Sequence, residues 1–390
     1  MRSTGIIVEY NPFHNGHKYH IERAKEIVNN DLIIAVMSGN YVQRGNFAFL
    51  DKWSRTEMAL LNGVDLILEL PSLYSAQSAE IFSTGAVAIL DKIGVDNIIF
   101  GSEIGDINKL TAISNYIMEN KEKLDILILN NMKNGISYPN AFNLAINSFN
   151  KNFNFTPNNI LGIEYLKSLK KIDSHIKPHT IKREKSNYND KYINEGISSA
   201  TAIREYLLKG EDFINIKGTI PENTYKFYEN YSFLDNYMYY NILKYKIIIN
   251  KNSLENIQDL EDGFHNRLYS SAVKYDNYTD FYNSLVTKRL TKSRLNRILL
   301  HIILDITIEK TELAKKNYGK YIRVLGFNNK GKQYLNYIKK DINIEIITNI
   351  KKNYVDSDLD FIVKNEINAD EIYNIFSKSK IRKIPIYFEK

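Results

Sequence analysis

Three features of the 390-residue sequence predict an α/β fold, with a parallel sheet over residues 1–210 and a mostly helical second domain over residues 211–390. Short apolar runs alternate with patterns of helical period through the first 210 residues. One of these runs, the first, leads through a tight turn into His14-Asn15-Gly16-His17 at a helix start. From Glu211 onward the texture changes to long polar and aromatic helical patterns with hardly any Gly or Pro.

The strands come from runs rich in Ile, Leu and Val at residues 5–9, 32–37, 66–70 and 97–100, each ended by a turn signal. Helical periods lie between them at 18–29, at 54–62 stopped by Gly63, and at 79–93 stopped by Gly94. Apolar runs buried on both faces and alternating with helices require a parallel sheet with right-handed crossovers, and in such sheets ligands sit beyond the carboxyl ends of the strands. A less regular helical stretch at 106–149 follows, then a helix near 160–171, a strand-like segment at 179–182, and a helix opened by Ser198 or Ser199. A chain this long exceeds one ordinary core, which places a boundary near Gly210. Beyond it, 223–249 and 290–304 are helical, while 344–348 and 384–388 are candidate strands.

Composition narrows the function classes. Apolar residues at 44% with 25% charged suit a globular protein and argue against disorder. The absence of cysteine excludes disulfides, thiolate metal sites and a cysteine nucleophile. No apolar run approaches the length of a membrane span, and the chain turns polar at Glu9-Tyr10-Asn11, too early for a signal peptide, so a cytoplasmic location is expected. Residues 211–390 carry 29 Lys and Arg against 23 Asp and Glu, whereas residues 1–210 carry 23 against 22. The excess points to a polyanionic partner met by the second half.

The segment from Gly5 to Lys18 carries the chemistry. Pro12 ends the strand. His14 and His17, three apart at a helical start, fall on one face about a turn apart. Gly16 permits close approach of a ligand to the backbone, and the free N–H groups and dipole of the helix N-terminus favour an anion. Two imidazoles can then donate to α-phosphate oxygens and to departing pyrophosphate. Taken alone, an H-x-x-H pair is more often a surface or capping feature, or half of a metal site. The preceding strand, the internal Gly and the lack of a spaced third ligand favour a nucleoside triphosphate and no metal site.

His14-Asn15-Gly16-His17 resembles the H-x-G-H signature of the nucleotidyltransferase superfamily. Together with residues 8–17, 36–45, 51–58, 100–103, 159–165 and 199–204, it resembles the bacterial tRNA(Met) cytidine acetate ligase family, densely to residue 205 and thinly beyond, where residues 323–327 are the clearest landmark. The resemblance implies a Rossmann-like nucleotidyltransferase domain. It implies an enzyme that activates acetate with ATP and acetylates N4 of the wobble cytidine of elongator tRNA(Met), releasing AMP and pyrophosphate; the chemistry of a triphosphate adds the expectation of Mg2+, for which the sequence shows no dedicated carboxylate cage. The implied partners are tRNA, ATP and acetate, with no DNA and no membrane. It places ATP contacts at Ile7, Val8, Glu9, Tyr10, Asn11, Pro12, Phe13, His14, Asn15, Gly16, His17, Lys18, Tyr19, His20, Gly101, Asn159, Arg183 and Glu184. The residues themselves agree for three of these. Gly101 ends a strand at the ligand edge, Asn159 could cap a helix or bond a base or ribose, and Arg183 suits a phosphate.

Further groups complete the list of candidates, most of them with alternative readings. Ser199, Thr201 and Arg204 read as an ordinary helix cap or as a second phosphate site. Gln43 and Arg44, in a loop at the ligand edge, suit acetate or the tRNA end of the reaction, Arg44 through bidentate geometry. Asp51 to Arg55 read as a structural staple in which Ser54 could cap the following helix. Lys288, Arg289, Lys292 and Arg294 in one acid-free run, and Arg323, Lys330, Lys332 and Lys339 in another interleaved with Tyr and Phe, form either solvated faces or an RNA surface that tracks phosphates and stacks unpaired bases. Two other functions share parts of this pattern: a small-molecule adenylyltransferase acting on a phosphorylated acceptor, and a non-catalytic RNA-binding protein on a decayed nucleotide fold.

Overall fold

The computed structural model describes residues 1–29, 32–148, 155–183, 198–229, 236–287, 290–377 and 384–389. Its main sheet contains β1 (Ser3–Val8), β2 (Leu32–Ser38), β5 (Leu66–Leu70), β6 (Asn97–Ser102), β7 (Lys177–Lys182), β8 (Tyr321–Asn328), β9 (Glu345–Ile347) and β10 (Ile386–Phe388). A separate hairpin joins β3 (Tyr41–Val42) to β4 (Asn46–Phe47). The order across the main sheet is β10-β8-β5-β2-β1-β6-β7, with β9 on β8. Strands β5, β2, β1, β6 and β7 run parallel, as the alternation of runs requires. β2 and β5 are buried along their whole length, because helices cover both faces.

Each expected strand of the first half is present, with β6 and β7 each two residues longer than their apolar runs suggested. Helix α1 (Asn15–Val28) follows β1, and helix α2 (Lys52–Leu61) starts two residues before the expected one. The cap of α2 is Asp51, whose Oδ1 accepts from the N–H groups of Trp53 and Ser54 at 2.9 and 3.1 Å; Ser54 donates its hydroxyl to Asp51 instead of capping. The irregular stretch resolves into helices Ile107–Glu119, Lys121–Lys133 and Tyr138–Asn147.

The second half departs from expectation in one respect. Its described elements are mainly helices, and the two late strands are there, but β8 forms at the segment beginning Tyr321-Ile-Arg-Val-Leu and enters the N-terminal sheet antiparallel to β5. β9 and β10 then add to β8. The sheet is therefore continuous across the boundary at Gly210, since its outer strands come from the last 70 residues of the chain. No helix among the described residues is long and apolar enough to cross a membrane.

Candidate active site

The chain leaves β1 to build β2 and β5 on one side and then returns to place β6 on the other. The strand order reverses at β1, and in such sheets ligands bind beyond the carboxyl ends of the strands at that point. The turn after β1 stands at this position. Tyr10 is buried with φ 49°, a left-handed conformation that a bulky residue holds only where its surroundings over-determine it, and a cis peptide bond joins Asn11 to Pro12.

Side chains from outside hold the turn by its carbonyls. Arg55 donates to the Glu9 carbonyl at 2.7 Å and to the carbonyls of Ser38, Gly39 and Leu50, which ties the ends of β1 and β2 together. Arg204 donates to the Asn11 carbonyl, and the Tyr228 hydroxyl to that of Phe13. Asn11 Oδ1 accepts from Phe49 N–H at 2.7 Å. With these carbonyls held from behind, the N-terminus of α1 is presented in a fixed direction.

His14 is the N-cap of α1. Its Nδ1 accepts from Gly16 N–H at 3.0 Å, while His17 Nδ1 accepts from His14 N–H at 3.3 Å. The rings stack with centroids 3.8 Å apart. Both Nδ1 atoms are acceptors, so each neutral ring carries its proton on Nε2 and offers an Nε2–H donor to a ligand. Neutrality follows from the surroundings. Burial, with Arg183 and Arg204 nearby, drives His14 down to about 3; burial, His14, Arg183 and His20 drive His17 well below the ordinary histidine value; burial and Arg183 drive His20 to about 4. Two neutral donors at a helix N-terminus can meet charge developing on a departing phosphate without adding a proton to the site.

Other expected residues gather here with altered roles. Arg183 follows β7 and packs over Gly101: a Cβ on Gly101 would lie 3.3 Å from Arg183 Cγ. Gly101 therefore makes room for the arginine that faces the histidines. Asn159 is buried, and its Oδ1 accepts from the N–H groups of Glu103 and Ile104 at 3.0 and 3.1 Å, fixing the turn beyond β6. Glu103 returns the contact by accepting from Thr156, Asn158 and Asn159 N–H at the start of helix Pro157–Lys171. Ser199 caps helix Ala200–Leu208 by accepting from Ala202 N–H at 3.1 Å, and Thr201 Oγ1 accepts from Arg204 at 3.1 Å. Lys18 and Tyr19 are exposed on α1, and Asn15 donates to the Gly218 carbonyl. Glu184, Lys288 and Arg289 lie outside the described residues.

Among the basic residues, Arg323 is not on the surface. It is buried on β8, with its NH1 2.8 Å from Glu69 and 3.5 Å from Asp370. Arg294 is half-buried and engaged with Glu261 and the Asp259 carbonyl. Lys292 is exposed. Lys330, Lys332 and Lys339 are exposed too, on or just after helix Asn329–Ile338, but that helix follows the carboxyl end of the antiparallel β8 and so lies at the sheet edge opposite His14. Tyr334 from this run points inward, its hydroxyl donating to the Ile93 carbonyl at 2.7 Å, and Tyr321 is buried; neither is available to stack on a base.

Arg55, Glu103 and Tyr228 carry roles that reading the sequence missed. Arg55 and Glu103 stand inside the blocks that resemble the ligase family, which was the one available signal. Tyr228 stands in none of them.

A parallel sheet with H-x-G-H at a helix N-terminus beside its switch point defines a nucleotidyltransferase. The sequence profile of the family described as HIGH Nucleotidyl Transferase matches residues 1–384. The chain is 40% identical to the tRNA(Met) cytidine acetate ligase of Clostridium tetani, over all of this chain and 99% of that one, and 41% identical to that of Fusobacterium nucleatum, over 96% of each. It superposes on the crystal structure of Thermotoga maritima TmcAL (apo, form I) with a TM-score of 0.91, and on the form bound with alpha-thio ATP with 0.88, at 32% identity over the full length of both chains. The chain belongs to the tRNA(Met) cytidine acetate ligase family.

Proposed function

We propose that this protein activates acetate with ATP and transfers the acetyl group to N4 of the wobble cytidine of elongator tRNA(Met). The observation that carries the reading is the pair of neutral, Nδ1-capped histidines at the α1 N-terminus. In the first half-reaction an acetate oxygen attacks the α-phosphorus, the bond from that phosphorus to the β-phosphate bridge breaks, and pyrophosphate leaves with its charge met by His14, His17 and the helix N-terminus. Mg2+ travels with the triphosphate as part of the substrate. In the second, the cytidine N4 amine attacks the acetyl carbonyl, the mixed-anhydride bond breaks, AMP departs, and N4 gives up a proton. The relatives' common name and the ATP analogue held by the Thermotoga structure support this reading.

The test is isotope exchange between labelled pyrophosphate and ATP. Acetate should be required for exchange, with tRNA(Met) added in a parallel arm in case RNA completes the site, and acetyl transfer should occur only with tRNA present. ATP binding without acetate-dependent exchange in either arm would replace the ligase with an adenylyltransferase of another acceptor.

A further inference from the structure

The chain that follows Gly210 crosses the start of α1 and takes hold of it on both sides of His14. From the helical segment Phe213–Thr219, the Gly218 carbonyl accepts from Asn15 Nδ2 at 3.0 Å. From the short helix Tyr225–Glu229, Tyr228 donates its hydroxyl to the Phe13 carbonyl. Tyr228 is fully buried, with its ring stacked on Phe213 at 5.9 Å between centroids. A phenylalanine would fill the same space. A hydroxyl carried into an apolar site costs free energy unless it is bonded, so this position favours tyrosine only through the bond to Phe13.

That carbonyl belongs to the same peptide group as the His14 N–H, which donates to His17 Nδ1 at 3.3 Å. A peptide group is planar, so its two ends cannot turn independently. Tyr228 grips one end, and His17 receives the other. While the plane is held, His17 Nδ1 faces a donor and stays bare, and the proton of the neutral ring sits on Nε2. Were the plane to rotate, Nδ1 would be free to take that proton, and Nε2 would change from a donor into an acceptor that repels an anion. His14 is insulated from such a change, because its Nδ1 accepts at 3.0 Å from the Gly16 N–H, which belongs to a different peptide group.

We propose that Tyr228 is a positioning residue of the active site, whose hydroxyl acts through the Phe13–His14 peptide to keep the proton of His17 on Nε2, aimed at the leaving pyrophosphate. The inference rests on the ligase reading above for the leaving group and on the chain alone for the tautomer. Hydrogen bonds in series polarise one another, so the hydroxyl also strengthens the His14 N–H as a donor to the ring.

The test compares full-length Tyr228→Phe with the wild type by nitrogen NMR of isotope-labelled histidines and by acetate-dependent exchange of pyrophosphate. In the wild type both His14 and His17 should show a protonated Nε2 and a bare Nδ1. In Tyr228→Phe, His17 should become a mixture of tautomers while His14 stays as it was. The kcat for exchange should fall by roughly 10- to 100-fold with the KM values for ATP and acetate little changed, because the ring keeps its place and only its donor is lost. In a His17→Ala background the same substitution should cause no further loss. An unchanged His17 tautomer in Tyr228→Phe would overturn the proposal, as would an undiminished kcat. A loss that multiplies in full with that of His17→Ala would overturn it too, since Tyr228 would then support the fold at large. If the wild type shows no exchange with acetate, with or without tRNA, the ligase reading fails, and the NMR comparison still decides whether Tyr228 holds His17.

Discussion

Two buried polar assemblies stand at the same edge of the sheet and solve the problem of burial in opposite ways. At the α1 N-terminus the histidines are neutral and offer donors. On the far side of the Gly39 turn, Lys52 Nζ lies 2.5 Å from both Glu69 and Asp370, Arg323 pairs with the same two carboxylates, and Glu366 accepts from Ser72 N–H at 2.6 Å. Glu69, Glu366 and Asp370 would by themselves make a cation site; here they meet two side-chain cations instead. Three carboxylates against two cations leave one proton to be kept. Glu366 keeps it, because Glu69 and Asp370 take both ion pairs: burial and the Glu69 charge push Glu366 up to about 8, while at Glu69 burial is outweighed by Arg323 and Lys52, which hold it below its ordinary value. The first assembly leaves donors for a ligand, whereas the second spends its charges joining β8 and the C-terminal helix Ser357–Ser377 to the edge that carries the histidines. Burial keeps the rings neutral in one and specifies a tertiary contact in the other.

The contrast breaks most sharply on the charged side. Lys52→Ala removes one of two cations from three buried carboxylates, and unfolding in urea should show a loss of about 3–5 kcal/mol. A loss under about 1 kcal/mol would mean that water or a bound ion takes the place of the ammonium. His17→Ala should do the reverse. Acetate-dependent pyrophosphate exchange should slow by about 10²–10³, the usual cost of removing a donor aimed at developing charge, while the unfolding midpoint stays near that of the wild type. Full activity in this variant would detach the motif from the chemistry.

Titration sharpens the comparison, since the two assemblies bend the stability curve at opposite ends. His14 and His20, lowered from 6.5 to about 3 and about 4, contribute stability that is complete above 6.5 and is lost as pH falls through those values. Glu366, raised from 4.5 to about 8, works in the other direction: its contribution is complete below 4.5 and is lost as pH rises through about 8. Glu366→Gln, which keeps the shape of the protonated acid, should therefore flatten the alkaline limb of stability against pH and leave the acid limb in place. An unchanged alkaline limb would place the retained proton elsewhere in the cluster.

The smallest effects are expected from the surface. Lys292 stands one turn before Asn296, which bonds Asn46 of the hairpin at 3.2 Å, and so lies on the catalytic side. Lys292→Ala should lower the slope of log affinity for tRNA(Met) against log salt by about 0.7–0.9, the share of one phosphate contact. Replacing Lys330, Lys332 and Lys339 together should leave both that slope and adenylate formation unchanged, because they occupy the opposite edge of the sheet. A reduced slope in the triple variant would show the RNA reaching around the molecule.

The sequence by itself determined the parallel half of the sheet and the position of the histidine pair at its end. Apolar runs of four to six residues, helical periods and their Gly stops are local signals, and so is the His14–His17 pair at the end of the first run. The resemblance added Gly101, Asn159 and Arg183 as positions. What each residue does there was decided only by the tertiary structure. Whether Arg323 is a surface cation or the centre of an ion network depends on Glu69 and Asp370, and Asp370 lies 318 residues from the Lys52 it also meets. Arg204 serves the Asn11 carbonyl from 193 residues away, and Tyr228 serves that of Phe13 from 215. β8 itself has the composition of a strand, but its place against β5 is set by which edge of the sheet remains open after the helical excursion. A charged residue looks the same in the sequence whether water or an opposite charge will surround it, and only the packed chain supplies the partner.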